Sequence, residues 1–415
     1  MNKPLIVLVI FYCAASLYGQ SWNENQFYVE LNNNREGYRF IDTLLAGKKV
    51  VLLGELDHGD GSSFIAKTDL IKYLHEHHDF NTLIFEASFI NCNFLWNTIG
   101  DSTEFRNQIK NNIYNIWSEV EETKNLFRYI EEQYRKGAPL RVVGIDPQFS
   151  CIENTQEFIR LLKKTLTSDI TESERFIKFI YEIELMSTWM VFPKKKKHKL
   201  SEEEFVNYCN ILYEAISRNK EHAANLSLWK MYLDNVKIMG KIKRKRNNQS
   251  FEMRDEQMFK NADYWIKENA NEKFIMWAAN AHITRNDRIV EKKGGNFYLL
   301  GLKKLGDYLY EAYPDSLYSV AITSGKGVTL DIANFTKKNI IKLPKNNSLE
   351  GLMEGKKTCF VDLKAFENRF CLDKYESQMY YTNIICTAKW SQHFDGFIYI
   401  PEMSPSTPLW QINRK

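Results

Sequence analysis

Short runs of consecutive apolar residues alternate with longer segments of helical periodicity along most of this chain. Four runs, at 49–53, 82–85, 140–143 and 274–277, have the length and flanking turn residues of buried strands. Two more, at 297–300 and 317–322, are also predicted strands. After the first strand, apolar spacing predicts a helix from about Ser62, capped by Asp60, Ser62 or Ser63. The alternation predicts an α/β fold in which a mostly parallel central sheet is flanked by helices.

The stretch from about 152 to 265 has a different pattern, because it contains several amphipathic helices and no convincing strand. It lies between two predicted strands, so we interpret it as a large helical insertion. An insertion at this place can cover the crevice at the end of the sheet, and we expect it to act as a lid. Its aromatic residues, among them Trp189, Phe192 and Trp229, are expected to contact a large apolar ligand.

The N terminus has the pattern of an export signal. Lys3 precedes an apolar run at 5–17, and small residues follow up to Gly19. We therefore predict a signal peptide over 1–19 and a domain over 20–415 that is periplasmic or secreted. The alternative is an N-terminal membrane anchor that stays in place. No later stretch is apolar enough for stable membrane insertion.

Composition and cysteine usage narrow the class of protein. The 415 residues include 56 Lys and Arg and 52 Asp and Glu, which gives a net charge of +4. This charge is too small to indicate a nucleic-acid or membrane-surface partner. The cysteines are too few and scattered for a disulfide scaffold, and no C-x-x-C motif favours zinc. One disulfide among the C-terminal cysteines, Cys359, Cys371 and Cys386, is left open as an alternative.

Ionisable or amide side chains follow each of the first four predicted strands. In an open parallel sheet, ligands bind beyond the carboxyl ends of the strands, where these side chains would meet. Histidines and carboxylates that share a partly desolvated cleft shift one another's pKa values, as general acid–base catalysis near neutral pH requires. The residues at these four strand ends are Glu55 with His58, Glu86, Asp146 with Gln148, and Asn280 with His282.

Several catalytic classes lack their motif in this chain. There is no G-x-S-x-G nucleophile elbow, no P-loop, no G-x-G-x-x-G after a strand and no H-E-x-x-H. With no covalent nucleophile in view, the simplest mechanism is a water activated by a histidine whose second nitrogen is held by a carboxylate. His58 paired with Glu55 or Glu86 fits that description.

At these residues the sequence resembles the erythromycin esterase family. Residues 54–59, Gly-Glu-Leu-Asp-His-Gly, resemble the family's G-E-x-T-H-G, and Glu86 resembles its second-strand glutamate. Residues 144–148 are similar to G-x-D-x-Q, and 254–261 are similar to R-D-x-x-M-x-x-N. Residues 277–282 resemble W-x-H-N-A-H, and 394–397 with 407–409 resemble the family's C-terminal stretch. The matches extend from about residue 45 to 410.

The resemblance implies a hydrolase that opens a lactone or ester, such as a macrolide, with an activated water and no cofactor. It implies that His58 is the base and Glu55 its partner, with Glu86 and His282 in the catalytic site. It also implies a substrate-binding set comprising Lys67, Asp146, Gln148, Arg254, Asp255 and Asn280. Four positions depart from the family pattern: Asp57 replaces threonine, Ser62 replaces glutamate, Lys67 replaces arginine and Ala279 replaces histidine.

Two other classes of function compete with this hypothesis. A metal-dependent hydrolase could use His58, Glu86, Asp146 and His282 as a mixed nitrogen and oxygen site with an open position for water. A non-catalytic envelope protein could use the same cleft to bind a hydrophobic ligand, and the loss of a histidine at Ala279 keeps that alternative open. In each case we expect a small-molecule partner, and we assign no oligomeric state.

Overall fold

The computed structural model describes residues 27–31, 35–98, 105–149, 152–187, 197–219, 224–245, 248–292, 301–342 and 345–412. The expected signal peptide, the predicted strand at 297–300 and two expected lid aromatics, Trp189 and Phe192, lie outside these residues. No helix among the described residues has the length and apolar character needed to cross a membrane.

The described residues contain twelve strands and seventeen α-helices. The strands are β1 Tyr28–Glu30, β2 Val50–Leu53, β3 Phe80–Ser88, β4 Arg141–Asp146, β5 Lys273–Trp277, β6 Glu291–Lys292, β7 Leu317–Leu330, β8 Lys338–Ile341, β9 Cys359–Asp362, β10 Tyr375–Tyr381, β11 Ile384–Ala388 and β12 Gly396–Met403. The helices of the first half are α1 Arg39–Leu44, α2 Gly61–His78, α3 Phe89–Thr98, α4 Phe105–Asn112, α5 Asn115–Ser118, α6 Lys124–Arg135, α7 Ile152–Thr165, α8 Ser168–Thr171 and α9 Glu174–Met186. The others are α10 Glu202–Ser217, α11 Leu226–Lys245, α12 Asn248–Glu268, α13 Asn280–Ile283, α14 Leu305–Ala312, α15 Leu349–Leu352, α16 Leu363–Phe370 and α17 Leu409–Ile412.

The main sheet has the strand order β1-β9-β12-β7-β2-β5-β3-β4, with β8 paired to β7. Strands β12, β7, β2, β5, β3 and β4 are parallel, whereas β9, β1 and β8 pair antiparallel at one side. Strands β10, β11 and β6 form a second, three-stranded antiparallel sheet. The predicted α/β fold with a mostly parallel central sheet is confirmed.

Register explains why the strand ends meet. Leu53 of β2 pairs with Trp277 of β5, which pairs with Phe85 of β3, and Phe85 pairs with Gly144 of β4. The next residues of all four strands therefore lie along one edge of the sheet. The catalytic candidates predicted from the strand ends are brought to that edge together.

Alternating side chains of the strands feed two hydrophobic layers. Val51 and Leu53 of β2 belong to the layer beneath α1, α2 and α6. Val50 and Leu52 belong to the opposite layer, which contains residues of α3, α7 and α9–α12. Because both faces are covered, the parallel strands are buried, in agreement with their continuous apolar runs.

The described parts of the region from 152 to 265 contain helices, short non-helical stretches and no strand, and these helices form the layer on one face of the sheet. Trp229, expected to face a ligand, is instead 5% exposed and packs edge-on against Tyr232 inside that layer. Its sequence neighbourhood, Leu226 to Met239, turns a continuous apolar face toward other helices, so its indole completes the core.

Some sequence boundaries differ from the structure. Strands β3, β4 and β7 extend beyond the predicted runs, so Glu86 and Asp146 lie inside their strands. Asp60 precedes α2 as expected, but its carboxylate accepts from the Asp57 backbone N–H rather than from the helix. The C-terminal disulfide left open above is absent. Cys359 and Cys371 are both free thiols, and any pair among Cys359, Cys371 and Cys386 would include at least one of them.

Candidate active site

The loop after β2 is shaped by close backbone packing. Gly54 lies so near Asn280 that an added Cβ would be 1.8 Å from the Asn280 Oδ1 atom. At Gly59, an added Cβ would be 1.9 Å from the Leu330 carbonyl oxygen. Only glycine fits both places. The two glycines thus fix the short segment that carries Glu55 and His58.

His58 and Glu55 form a tight pair, with 2.7 Å between His58 Nδ1 and Glu55 Oε1. Glu55 is fully buried, whereas the His58 side chain is 23% exposed. His58 Nε2 lies 3.9 Å from Glu86 Oε1, which is too long for a direct hydrogen bond. The pair therefore presents one imidazole nitrogen to the cleft and keeps the other against a carboxylate.

Lys67 lies behind this pair, on α2. Its Nζ donates to Glu55 Oε2 at 2.8 Å and to the Ala278 carbonyl at 3.2 Å, and it lies 4.2 Å from the Trp277 ring centroid. The side chain is fully buried. Lys67 was predicted to bind substrate, but the structure uses it to neutralise Glu55 from the protein side.

Glu86 lies at the centre of the site. Its Oε1 accepts from Arg254 at 2.9 Å and is 3.3 Å from His282 Nε2, while its Oε2 accepts from the Ala279 backbone N–H at 3.0 Å. Glu86 is 1% exposed. Both carboxylate oxygens are therefore occupied, and Ala279 contributes through its backbone where the family has a histidine side chain.

Arg254 reaches the site from α12 and binds two carboxylates. Its guanidinium donates to Asp146 at 2.7 and 3.2 Å, in addition to Glu86. Asp146 is fully buried and also accepts from Gln148. Asn261, about two turns further along α12, donates to the Ile145 carbonyl and fixes the helix against β4. The motif at 254–261 thus combines an active-site cation with its structural anchor.

His282, on α13, forms the second histidine–carboxylate pair. Its Nδ1 lies 2.6 Å from Asp255 Oδ1, and its Nε2 lies 3.0 Å from Arg254 Nη1. Arg254 has only donors, so it can bond His282 Nε2 only when the imidazole is neutral. When the imidazole is charged, Nε2–H donates to Glu86 instead. His282 is thus placed to exchange a proton while keeping a partner in both states.

For His58, His282 and Glu86, burial and the neighbouring charges shift the pKa in opposite directions, and the charges prevail. Burial disfavours the imidazolium of His58, but Glu86 and Glu55 outweigh that effect and raise its pKa. For His282, burial is likewise outweighed by Asp255 and Glu86, which raise its pKa to about 9. Burial would raise the pKa of Glu86, but His282, His58 and Arg254 hold it well below its ordinary value.

Asn280 and Gln148, both predicted to bind substrate, lie in different surroundings. The Asn280 amide donates to the carbonyls of Ile322 and Met379 at 2.7 Å and accepts from the Ile322 N–H. Asn280 therefore connects α13 to β7 and β10 rather than facing a ligand. Gln148 is half-buried and donates to Asp146, which places it at the edge of the site.

Two aromatic residues of the site were not predicted. Trp117 Nε1 donates to Glu55 Oε1 at 3.1 Å, and the Tyr114 hydroxyl donates to Asp146 Oδ2 at 3.1 Å. Both come from the turn around α5, between β3 and β4. Their positions depend on how this connection folds back over the sheet, and no spacing in the sequence indicates it.

Asp57 and Asp60 form a second acidic cluster beside Glu55. The Asp57 N–H donates to Asp60 Oδ2 at 2.8 Å, and both side chains are buried. Burial, with the charge of Glu55, raises the pKa of Asp57 to about 6, although His58 opposes the shift. Burial and the charge of Asp57 raise the pKa of Asp60 well above its ordinary value. The departure from threonine at Asp57 therefore adds a titratable group next to the His58–Glu55 pair.

The residues proposed for a metal do not fit one. Within the ranges that the structure describes, no group of three or more His, Cys, Asp or Glu has the arrangement of a metal site. The Arg254 guanidinium bonds to both Glu86 and Asp146, so a cation already occupies the place between these carboxylates. The arrangement instead suits proton transfer.

Comparisons with known proteins identify the family of this chain. A sequence model described as erythromycin esterase matches residues 75–403, which is most of the chain. The chain belongs to the erythromycin esterase family. Its sequence is also 25% identical over 460 residues to the Bacillus subtilis (strain 168) protein named "Putative hydrolase YbfO", with 98% of each chain covered. Both findings support a hydrolase.

Solved structures share the fold of this erythromycin esterase-family chain. A Bacillus cereus protein superposes with a TM-score of 0.72 at 18% identity, covering 93% of this chain and 99% of that one. A succinoglycan biosynthesis protein gives a TM-score of 0.70 at 16% identity, covering 92% and 96%. A mutant of the erythromycin esterase EreC, in its open conformation, gives 0.65 at 15% identity, covering 89% and 95%. At these identities the likeness establishes the fold alone.

Proposed function

We propose that the chain is a carboxylic-ester hydrolase that opens an ester or lactone with an activated water, and that macrolide lactones are its candidate substrates. One observation carries the proposal. His58 and His282 each hold a carboxylate through Nδ1, at 2.7 and 2.6 Å, and both Nε2 atoms face the single oxygen Glu86 Oε1. Two such imidazoles at one carboxylate provide a base and an acid on either side of a reacting bond.

His58 is the base in this proposal. Glu55 accepts the Nδ1 proton, so neutral His58 carries its lone pair on Nε2, in the cleft. That nitrogen takes a proton from water as the water oxygen bonds to the acyl carbon. Glu86 is an unsuitable covalent nucleophile because both of its oxygens are held, by Arg254 and by the Ala279 N–H.

Arg254 and His282 act on the other side of the carbonyl. Arg254 and His282 are 16% and 14% exposed, so each reaches the cleft while its partners stay buried. The guanidinium stabilises the oxyanion of the tetrahedral intermediate. Charged His282 gives its Nε2 proton to the leaving alkoxide as the carbon–oxygen bond breaks. The lone pair left on His282 Nε2 then accepts a hydrogen bond from Arg254 Nη1, 3.0 Å away.

The proton balance closes through Glu86. After one turnover His58 carries an extra proton and His282 lacks one. Glu86 Oε1 lies 3.9 Å from His58 Nε2 and 3.3 Å from His282 Nε2, so a proton can return along this carboxylate and one bridging water. No group outside the site has to supply or remove a proton.

We also propose that residues 1–19 direct export, since they combine Lys3, an apolar run and small residues before the predicted cleavage point. The mass of the protein purified from its native cells tests this. Loss of about nineteen residues supports export, and a full-length chain in the cytosol contradicts it.

The hydrolase proposal is tested by mass spectrometry of the protein incubated with a panel of macrolides and simple lactones. Wild type should add one water to at least one compound, with or without a chelator. His58→Ala should form no product, whereas His77→Ala, on the exposed end of α2, should behave as wild type. Product lost on chelation would support a metal enzyme. A folded protein that binds a panel member without hydrolysing it would support a binding protein.

A further inference from the structure

Glu55 accepts hydrogen bonds from three donors, of which His58 is only one. Its Oε1 accepts from His58 Nδ1 at 2.7 Å and from Trp117 Nε1 at 3.1 Å, while its Oε2 accepts from Lys67 Nζ at 2.8 Å. Indole and ammonium groups can only donate. An ionised Glu55 accepts all three bonds at once, and neutral His58 then keeps its proton on Nδ1.

Trp117 acts on this pair without reaching the cleft. The side chain is 1% exposed. Its ring stands edge-on to the His58 ring, with 5.2 Å between centroids and an interplanar angle of 86°. The indole therefore limits rotation of the imidazole and shares its hydrogen-bond acceptor, while substrate contact is left to His58.

The turn that carries Trp117 supports both ends of the site. The Trp117 N–H donates to the Tyr114 carbonyl at 2.9 Å, and the Tyr114 hydroxyl donates to Asp146, the partner of Arg254. The same segment is fixed to the C-terminal region, since Val120 forms a β-bridge with Pro408. One short turn thus holds both residues, and places the Trp117 donor on Glu55 and the Tyr114 donor on Asp146.

We infer that Trp117 is a positioning residue of the proposed hydrolase, which fixes the Nδ1–H tautomer of His58 and limits its basicity through Glu55. The inference rests on the proposed function for its catalytic meaning. A neutral donor on Glu55 Oε1 spreads the charge that otherwise attracts the His58 proton. Removing that donor should therefore raise the pKa of His58 further and move the acidic limb of the rate–pH profile to higher pH.

The test is a pH titration of the full chain with ¹⁵N-labelled histidine by NMR, in which His58 is assigned with a His58→Gln variant. Wild type should show the Nδ1–H tautomer for neutral His58. Trp117→Phe should raise the His58 pKa by about half a unit or more, the worth of one neutral hydrogen bond. Trp265→Phe is the matched control: it removes an equally buried indole donor, which binds the Gly144 carbonyl, and should leave His58 unchanged.

A folded Trp117→Phe variant with an unshifted His58 pKa would overturn the inference, as would an Nε2–H tautomer in wild type. If Trp117→Phe does not fold, Trp117→Leu, which also lacks the indole donor, replaces it in the titration with the same expected shift. Because the titration needs no substrate, it separates this inference from the proposed function. A shifted pKa in a protein without turnover would uphold the positioning role and reject the hydrolase.

Discussion

The two histidine–carboxylate pairs of the site have the same chemistry but different surroundings. Glu55, behind His58, is neutralised by Lys67 and bonded by Trp117, so its pull on the imidazole is shared among three donors. His282 lies between Asp255 and Glu86, and these two carboxylates raise its pKa to about 9. In the proposed mechanism this difference separates the base from the acid, because the groups around each carboxylate, more than the imidazole itself, set the pKa of the histidine.

Replacing each histidine with alanine tests this assignment most strongly. His58→Ala removes the base that activates water, so kcat/KM should fall by about 10² or more. His282→Ala should cost about 10- to 100-fold, because Arg254 remains to stabilise the oxyanion. Steady-state kinetics on the best panel substrate measures both losses. Equal activity of His58→Ala and wild type would remove His58 from the mechanism.

The carboxylate partners should move different limbs of the rate–pH profile. Activity should rise with pH as His58 becomes neutral and fall above about 9 as His282 loses its proton. Asp255→Asn removes a charge that raises the His282 pKa, so the alkaline limb should move to lower pH by about one unit. Glu55→Gln should instead move the acidic limb to lower pH. If both variants moved the same limb of the profile, the separate roles of the two histidines would be contradicted.

The smallest expected effect is on stability and concerns Asp57, which lies beside His58 rather than beside His282. Folding raises the pKa of Asp57 from an ordinary value near 3.8 to about 6, so the folded protein holds this proton more tightly than the unfolded chain. The stabilisation from that proton is present at low pH and is lost as pH rises through about 6. Wild type should therefore lose stability relative to Asp57→Asn when the pH is raised from 4 to 8, and the difference between their free energies of unfolding should change by about 1–2 kcal/mol in favour of the variant.

Urea unfolding at both pH values measures this difference. Asp315→Asn, which changes an exposed aspartate, is the control and should show no such pH-dependent gain. A constant offset for Asp57→Asn at both pH values would mean that the carboxyl has the same pKa in folded and unfolded chains.

Strand periodicity was enough to predict β2, β3, β4, β5 and part of β7, and the meeting of the first four strand ends, but it missed the parallel strand β12. The apolar runs at β2, β3, β4 and β5 are buried on both faces, which produces the continuous pattern that sequence inspection detects. The antiparallel strands escaped prediction because several are short or mix polar and apolar residues, as in β8 and β10. Their position depends on pairing partners far away in the sequence.

The site was predicted less completely than the sheet. Topology could place the catalytic candidates, since Glu55, His58 and His282 follow strands and Glu86 lies near the end of one. Lys67 and Asn280 were assigned to substrate, yet burial turns them toward Glu55 and toward β7. Trp117 joins the site through a connection whose path depends on tertiary contacts with the C-terminal segment. Family motifs identify Lys67 and Asn280, but only their contacts show that they position other groups rather than bind substrate.

The most direct test of the central claim is a single turnover of the best panel ester in ¹⁸O-labelled water, with mass analysis of both product and protein. Water activated by His58 predicts one labelled oxygen in the acid product and none in the protein. Label that first enters a carboxylate of the protein would mean a covalent intermediate, and would contradict direct attack by water.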